Sequence, residues 1–341
     1  MRHPDRHFKI FDGHNDLAYQ LWRRGDTSGK TFLDSSENGL HITAGKAATG
    51  GLAAGLFALF VPQQGDGLAA TDPVDELYAS ETTCQMADTL SRLAEGHPDS
   101  FRLCTTAAEI DNARTEGVLA GLLHLEGAEA VGAKLQNLET LYQRGVRSIG
   151  PLWSRPNDFG CGVPFRFPGS PDQGPGLSDA GKALIKACDE MNILLDVSHL
   201  NEAGFWDVAR LSSYPVIASH SNAHALCPAP RNLTDKQLDA IAATGGLVGT
   251  CFATAYLRPD GQKNPDTSLA LIIRQLDYLI ERLGEDHVAL GSDFDGAVLP
   301  QTLGDCSQLP ALTSALLQHG FGEPLIEKLC WQNWYRQIER L

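Results

Sequence analysis

Strand-like and helix-like patterns alternate from one end of this chain to the other, and that alternation limits the available folds more than any other feature. Short apolar runs occupy Phe8–Asp16, Leu52–Val61, Val118–Glu126, Val146–Trp153, Ile193–His199, Pro215–His220, Leu247–Phe252 and Val288–Asp295. Amphipathic stretches of helical spacing lie between them, among them Asp75–Ala94, Leu135–Arg144, Ser178–Met191, Asp235–Thr244 and Ser268–Leu283. Thr234 with Gln237 three residues on has capping-box spacing, and Gly245-Gly246 stops that helix. Strands that are apolar on both faces and joined through helices build a parallel sheet, because each crossover lays its helix over a face of the sheet. Eight such units predict an α/β fold closed into a TIM-like (β/α)8 barrel rather than left as an open sheet. With 341 residues, 43% hydrophobic and 20% charged, the chain can bury a large core, and no linker marks a second domain, so one barrel domain over 1–341 is expected.

The formal net charge of −15 argues against nucleic acid as a partner, since phosphate binding needs clustered lysine and arginine. Met1–Asp12 lacks the apolar stretch of a signal peptide, and no apolar run approaches the ~18 residues that span a bilayer. The longest, Gly50–Pro62, reads as a buried strand. The expectation is a cytoplasmic protein with no membrane partner, its eight cysteines kept as thiols. None forms a C-x-x-C pair, so a structural zinc site made of cysteine is not expected. Two glycine-rich segments interrupt the rhythm, Arg23–Gly50 after the first strand and Ser154–Gly176 after the fourth. Loops that follow barrel strands surround the active-site mouth.

The chemistry gathers at the strand ends. The first strand ends in Asp12-Gly13-His14-Asn15-Asp16, the third in Glu126, the fifth in His199, the sixth in His220 and the eighth in Asp293. Strict alternation puts His14 and Asp16 on one face, about 6.6 Å apart along the strand. Counting back in twos from the other ends predicts Leu122 and His124, then Ile193, Leu195 and Val197, then Val216 and Ala218, then Ala289 and Gly291 as inward-facing. Apart from His124 these are apolar or small, as a barrel interior requires. One polar residue on an apolar strand is ordinarily a hydrogen-bonded core group. Three histidines and three carboxylates on one rim are different, because carboxylates packed together repel and resist ionisation. A pair of divalent cations resolves the conflict: imidazole and carboxylate suit zinc, and two metals ~3.5–4 Å apart can share a carboxylate and a hydroxide.

Other candidates carry less. Gly176 to Lys182 has the glycine and lysine spacing of a phosphate loop, but Ala183 stands at the hydroxyl position and no strand precedes it, so Ser178 reads as a helix N-cap. No G-x-S-x-G elbow occurs. His224 reads as a surface or pocket residue, His124 as a partner beneath Glu126 or a filler, and Asp295 as the alternative to Asp293. His3, His7, His41, His97, His287 and His319 lie off the strand ends and are given no role.

DGHND at Asp12–Asp16, LEG at Leu125–Gly127, DVSH at Asp196–His199, SHSNAH at Ser219–His224, RN at Arg231–Asn232 and SDFDG at Ser292–Gly296 follow one another in order over nearly the whole chain. In this it resembles the membrane (renal) dipeptidase family of the amidohydrolase superfamily. Each motif is moderately specific alone; the ordered set is strong. The resemblance implies two divalent metal ions per chain, with zinc expected, and a homodimer. His14 and Asp16 would hold one metal, His199 and His220 the other, and Glu126 would bridge them. Asp293 would touch the bridging hydroxide and carry its proton, and Arg231 would bind the substrate's terminal carboxylate. The implied reaction is hydrolysis of a small dipeptide with a free C-terminal carboxylate, possible D-residues at the second position included. N-acyl-amino-acid deacylation and lactam opening are the alternatives the same site could run. One departure stands out. Where relatives such as the renal enzyme carry a histidine after strand four, this chain has Trp153, whose indole has one N–H donor and does not titrate. Trp153 is therefore expected to contact substrate, either donating to the developing oxyanion or leaving that work to the metal.

Overall fold

The computed structural model describes residues 8–34, 36, 39–65 and 71–341; His3 and His7 lie outside the described residues. Eight parallel strands form: β1 Ile10–Asn15, β2 Leu52–Phe60, β3 Leu119–Glu126, β4 Val146–Gly150, β5 Leu194–Leu195, β6 Ile217–Ser221, β7 Leu247–Cys251 and β8 Val288–Gly291. Each pairs with the next in chain order, the longest ladder running from Ala54↔Ala120 to Phe60↔Glu126. Two narrow seams complete the ring. Asp196 bridges to Ile217, with the Val197 amide donating to the Ile217 carbonyl at 2.7 Å. Asn15 bridges to Phe294, flanked by Asp16 N–H to Phe294 O at 2.8 Å and Asp293 N–H to His14 O at 3.1 Å. The expected closed α/β barrel is present.

β5 is short because its backbone changes partner midway: the Asp196 amide still donates to Ile149 of β4 at 2.9 Å, while the next amide turns to β6. A further strand, Phe101–Leu103, pairs with β3 at Leu119–Gly121, below the point where β4 begins. The five anticipated helices form as Glu76–Gly96, Leu138–Gln143, Asp179–Glu190, Asp235–Ala243 and Ala270–Leu283. The Thr234–Gln237 capping box is made, and Ser178 caps its helix by accepting from Gly181 N–H at 3.0 Å. Helices Ala107–Glu116, Glu202–Leu211, Leu309–His319 and Asn333–Ile338 complete the shell.

The barrel floor is plugged from the C-terminus. Trp334, fully buried, packs among Phe11, Ala54, Leu56, Leu122, Ile217 and Ala289 and donates its indole N–H to the Leu290 carbonyl at 2.8 Å. Gly13 lies so close that a Cβ there would be 2.4 Å from the Trp334 ring and 2.3 Å from the Ser219 carbonyl.

Strict alternation succeeds on β3 and β8, where Leu122 and Ala289 face this interior, and fails on β5 and β6. There Leu194 and Ile217 face inward, while Ile193, Leu195, Val197, Val216 and Ala218 pack outward against the helices. The β6–β7 register shifts after Ala218, and β1 shifts between Asp12 and Asn15. His199 sits in the left-handed region at φ 68°. Each irregularity lies at or just below a histidine and re-aims it into the mouth, the usual consequence of a bulge beside a functional site.

Candidate metal centre

These re-aimed ends bring the predicted residues together. Glu126 Oε1 lies 3.5 Å from His14 Nε2, 2.9 Å from His199 Nε2 and 3.5 Å from His220 Nε2. His14 Nε2 is 3.5 Å from Asp16 Oδ2, and the His199 and His220 Nε2 atoms are 3.3 Å apart. His14, Glu126 and His220 offer ligand atoms within 4.8 Å of one another, as do His14, Asp16 and Asp293, so His14 belongs to both clusters. Asp293, like His199, has a positive φ, 64°. Strain of this kind persists where the surrounding structure enforces it, and it collects at functional sites.

The donor set fits divalent cations. Both ring nitrogens of the fully buried His14 lack a hydrogen-bond partner among the described residues, a costly state for a polar ring in a core. Two ligands about 2.0–2.1 Å from a tetrahedral zinc stand roughly 3.3–3.4 Å apart, close to the separations seen here. Without a cation the electrostatics are adverse. Burial lowers the His14 pKa to about 4 and holds His199 and His220 well below the usual histidine range. Burial raises Asp16 and Asp293 to about 7, and burial together with the charges of Asp16 and Asp293 lifts Glu126 well above a normal carboxylate. Neutral imidazoles and carboxylates that resist ionisation are what a bound dication reverses.

A layer beneath fixes the rings. Asp196, buried, accepts from the Ser198 and Ser219 amides at 3.0 and 2.8 Å and from the Ser219 hydroxyl at 2.6 Å. The hydroxyl has one proton and spends it there, so Ser219 Oγ accepts from His220 Nδ1–H at 2.7 Å. That sets the tautomer and turns the Nε2 lone pair toward Glu126. Ser154 Oγ contacts His199 Nδ1 at 2.8 Å. His124 sits between Ser148 Oγ at 2.9 Å and Asp196 Oδ2 at 3.4 Å, so it belongs to this layer. Asp12 accepts from the Ser292 amide at 2.6 Å and the Ser292 hydroxyl at 2.7 Å.

A cavity of about 530 Å³ opens over the cluster, a volume suited to a small ligand. Arg231 lines it, buried, with Nη1 donating to Ser221 Oγ at 3.1 Å and Nη2 to the His220 carbonyl at 3.0 Å. Its guanidinium lies 5.6 Å from the Tyr256 ring centre, which holds the planar fork in one orientation. Trp153 also lines the cavity, its ring centred 5.8 Å from that of His199 and 5.1 Å from Phe165. Residues of Ser154–Gly176 reach the cavity through Pro164–Phe167, whereas none of the described residues of Arg23–Gly50 does. Asp295 turns away: its carboxylate accepts from the His41 and Ile42 amides at 2.7 and 3.2 Å, tying the loop after β1 to the loop after β8. His224 bonds the Gly169 carbonyl at 2.8 Å and is not a lining residue.

Sequence reasoning passed over Ser154, Ser219, Asp196 and Gly296. Ser219 and Asp196 stood inside the quoted motifs, and the signal that could have found them is a hydroxyl or carboxylate next to a strand-end histidine. Gly296 also closes a quoted motif, but only the fold shows its part: a Cβ there would be 2.1 Å from Asp16 Oδ2 and 2.5 Å from Asp293 Oδ1.

A parallel barrel whose strand ends gather imidazoles and carboxylates under an open cavity has the architecture of a metal-dependent hydrolase of the amidohydrolase type. The chain belongs to the membrane dipeptidase family, peptidase family M19, whose model matches residues 3–341. It is a metallo-dipeptidase of that family. The crystal structure of a metallo peptidase from Rhodobacter sphaeroides, liganded with a phosphinate mimic of the dipeptide L-Ala-D-Ala, superposes with a TM-score of 0.94 at 44% identity, covering 98% of this chain and 99% of that one. An uncharacterized protein in the pqqA 5' region of Klebsiella pneumoniae is 48% identical over 79% of this chain and 97% of its own length. A probable dipeptidase from Pseudomonas aeruginosa shares the fold, with a TM-score of 0.84 at 22% identity over 98% of this chain and 95% of that one. No helix among the described residues is long and apolar enough to cross a membrane.

Proposed function

We propose that residues 1–341 form one binuclear, zinc-dependent dipeptidase domain that cleaves small dipeptides with a free C-terminal carboxylate, those with a D-residue at the second position included. The observation that carries this reading is the placement of Glu126 Oε1 within 3.5 Å of three histidine Nε2 atoms, beside a second cluster of His14, Asp16 and Asp293, under a cavity that also exposes Arg231. The dipeptide mimic bound by the Rhodobacter protein supports the substrate class and the D-residue.

In this reading His14 and Asp16 would hold one ion and His199 and His220 the other, with Glu126 serving both. Two such ions would supply a water of lowered pKa and polarise the scissile carbonyl. The chain's own residues do the rest. Arg231 still has N–H protons beyond those given to Ser221 and His220, and it takes the substrate carboxylate as a fork. That register sets the single peptide bond over the strand ends. Asp293, half-buried beside His14 and Asp16 at the cavity floor, accepts the proton of the attacking water and passes it to the departing amine. Trp153 walls the cavity over His199 and excludes water, and its indole N–H is the donor that would serve the carbonyl oxygen.

The test compares zinc-supplemented protein on L-Ala-L-Ala, L-Ala-D-Ala, their C-terminal amides and N-acetyl-alanine. Cleavage of the free dipeptides with poor turnover of the amides is expected. Hydrolysis of N-acetyl-alanine in preference to both dipeptides would make the protein a deacylase instead.

A further inference from the structure

Two cations of the cavity are unused by the reaction described above. Arg166 and Lys263 both line it, both are exposed, and among the described residues neither side chain has an ion-pair or hydrogen-bond partner. In a chain of net charge −15, eight other arginines among the described residues are tied to carboxylates, whereas these two cations face the cavity. The acidic residues in the lining are Asp16, Glu126 and Asp293, all belonging to the metal centre.

The cations also share one arc of the wall. Three segments interlock there. Residues 164–169 dock on 228–231 through Gly169 N–H to the Pro228 carbonyl at 2.9 Å. They meet 253–263 where the Phe167 ring lies against Gly261, so close that a Cβ on Gly261 would be 2.4 Å from it. Arg231 in turn faces Tyr256. Arg166, Arg231 and Lys263 thus come from three touching loops, after β4, β6 and β7. The lining supplied by the helix after β1, by β2 and by the loop after β8, including Tyr19, Phe60, Ala297 and Val298, carries no cation.

A substrate carboxylate anchored on Arg231 puts the C-terminal residue against this arc. We propose that Arg166 and Lys263 select dipeptides whose C-terminal residue has an acidic side chain, aspartate or glutamate. The inference rests on the dipeptidase reading and deepens it. A second substrate anion meets two otherwise unpaired cations, and a neutral isostere of the same shape does not. Each exposed pair contributes only a few-fold, so the two together give about 3- to 20-fold in kcat/KM, falling as salt rises.

The experiment measures kcat/KM for matched pairs, L-Ala-D-Glu against L-Ala-D-Gln and L-Ala-L-Glu against L-Ala-L-Gln, with L-Ala-D-Ala as reference. Parent, R166Q, K263Q and the double variant are compared, and the acid-to-amide ratio within each protein is read, so that a general loss of activity cancels. The expected result is a ratio of about 3–20 in the parent for each cleaved pair. It should be reduced in each single variant, close to one in the double variant, and lower at 0.5 M than at 0.05 M salt. A parent that cleaves L-Ala-D-Ala and shows a ratio near one overturns this inference and leaves the dipeptidase reading intact, as does a double variant that keeps the full ratio. A parent that cleaves no dipeptide but deacylates N-acetyl amino acids overturns both.

Discussion

Replacing Ser219 by alanine tests whether the layer under the metal centre controls the centre itself. Ser219 Oγ is a buried relay between Asp196 Oδ2 at 2.6 Å and His220 Nδ1 at 2.7 Å, and it touches no part of the cavity. Its removal leaves the His220 Nδ1–H unpaired in a dry core and strips Asp196 of one of three donors, while the Ser198 and Ser219 amides stay. An orphaned buried donor costs about 1–3 kcal/mol. Its ring is then free to rotate or to take the other tautomer, which turns a protonated nitrogen toward Glu126. Loss of such a partner typically weakens metal affinity by about 10–100-fold, or roughly 1.4–2.7 kcal/mol, in line with the hydrogen-bond figure. Competition with a chromophoric chelator for zinc reads the affinity directly, and Ser219→Thr, which retains the hydroxyl, should restore most of it. An alanine variant that binds zinc as tightly as the parent would refute the relay argument, and His220 would then owe its orientation to packing alone.

Asp293→Asn should keep the metals and lower kcat by about 10²–10⁴-fold, the range for a lost general acid–base; near-normal turnover would move the proton to another group. Arg231→Met should lower kcat/KM for a free dipeptide by about 1.5–3 kcal/mol and abolish the preference for acid over amide with metal content unchanged. If the parent cleaves the amide as well as the acid, Arg231 is not a carboxylate anchor. Trp334→Ala empties the barrel floor between Phe11 and Gly13 and removes the bond to Leu290, so denaturant unfolding should show a loss of about 3–5 kcal/mol. A loss below 1 kcal/mol would mean the interior does not depend on its plug.

The barrel was legible because its signal is long and repeated: every strand is an apolar run, and the gaps between runs are long enough for crossover helices. The convergence of His14, Asp16, Glu126, His199, His220 and Asp293 was legible for a related reason, since each stands where its strand ends. What alternation could not see was how His199 and His220 get there. Along β5 the inward positions are Leu194 and Asp196, and along β6 Ile217, so a regular strand would point His199 and His220 out of the mouth. A left-handed residue and a register shift reverse that, and both are tertiary effects with no side-chain pattern of their own. The C-terminal plug was invisible for a similar reason. Trp334 lies on the six-residue helix Asn333–Ile338, too short to show a period, and its pocket is made by Gly13 and Phe11 some 320 positions earlier. Gly296 reads as a loop glycine until the two carboxylates that crowd it are in place.

Metal stoichiometry tests the central claim most directly. Protein purified without chelator, dialysed against zinc and passed through a desalting column is analysed for zinc by elemental mass spectrometry against amino-acid content. The binuclear reading predicts close to two ions per chain, falling to one or fewer in Glu126→Gln, because Glu126 is the group all three histidines face. One ion per chain in the parent, unchanged by excess zinc and sufficient for full dipeptide hydrolysis, would contradict it.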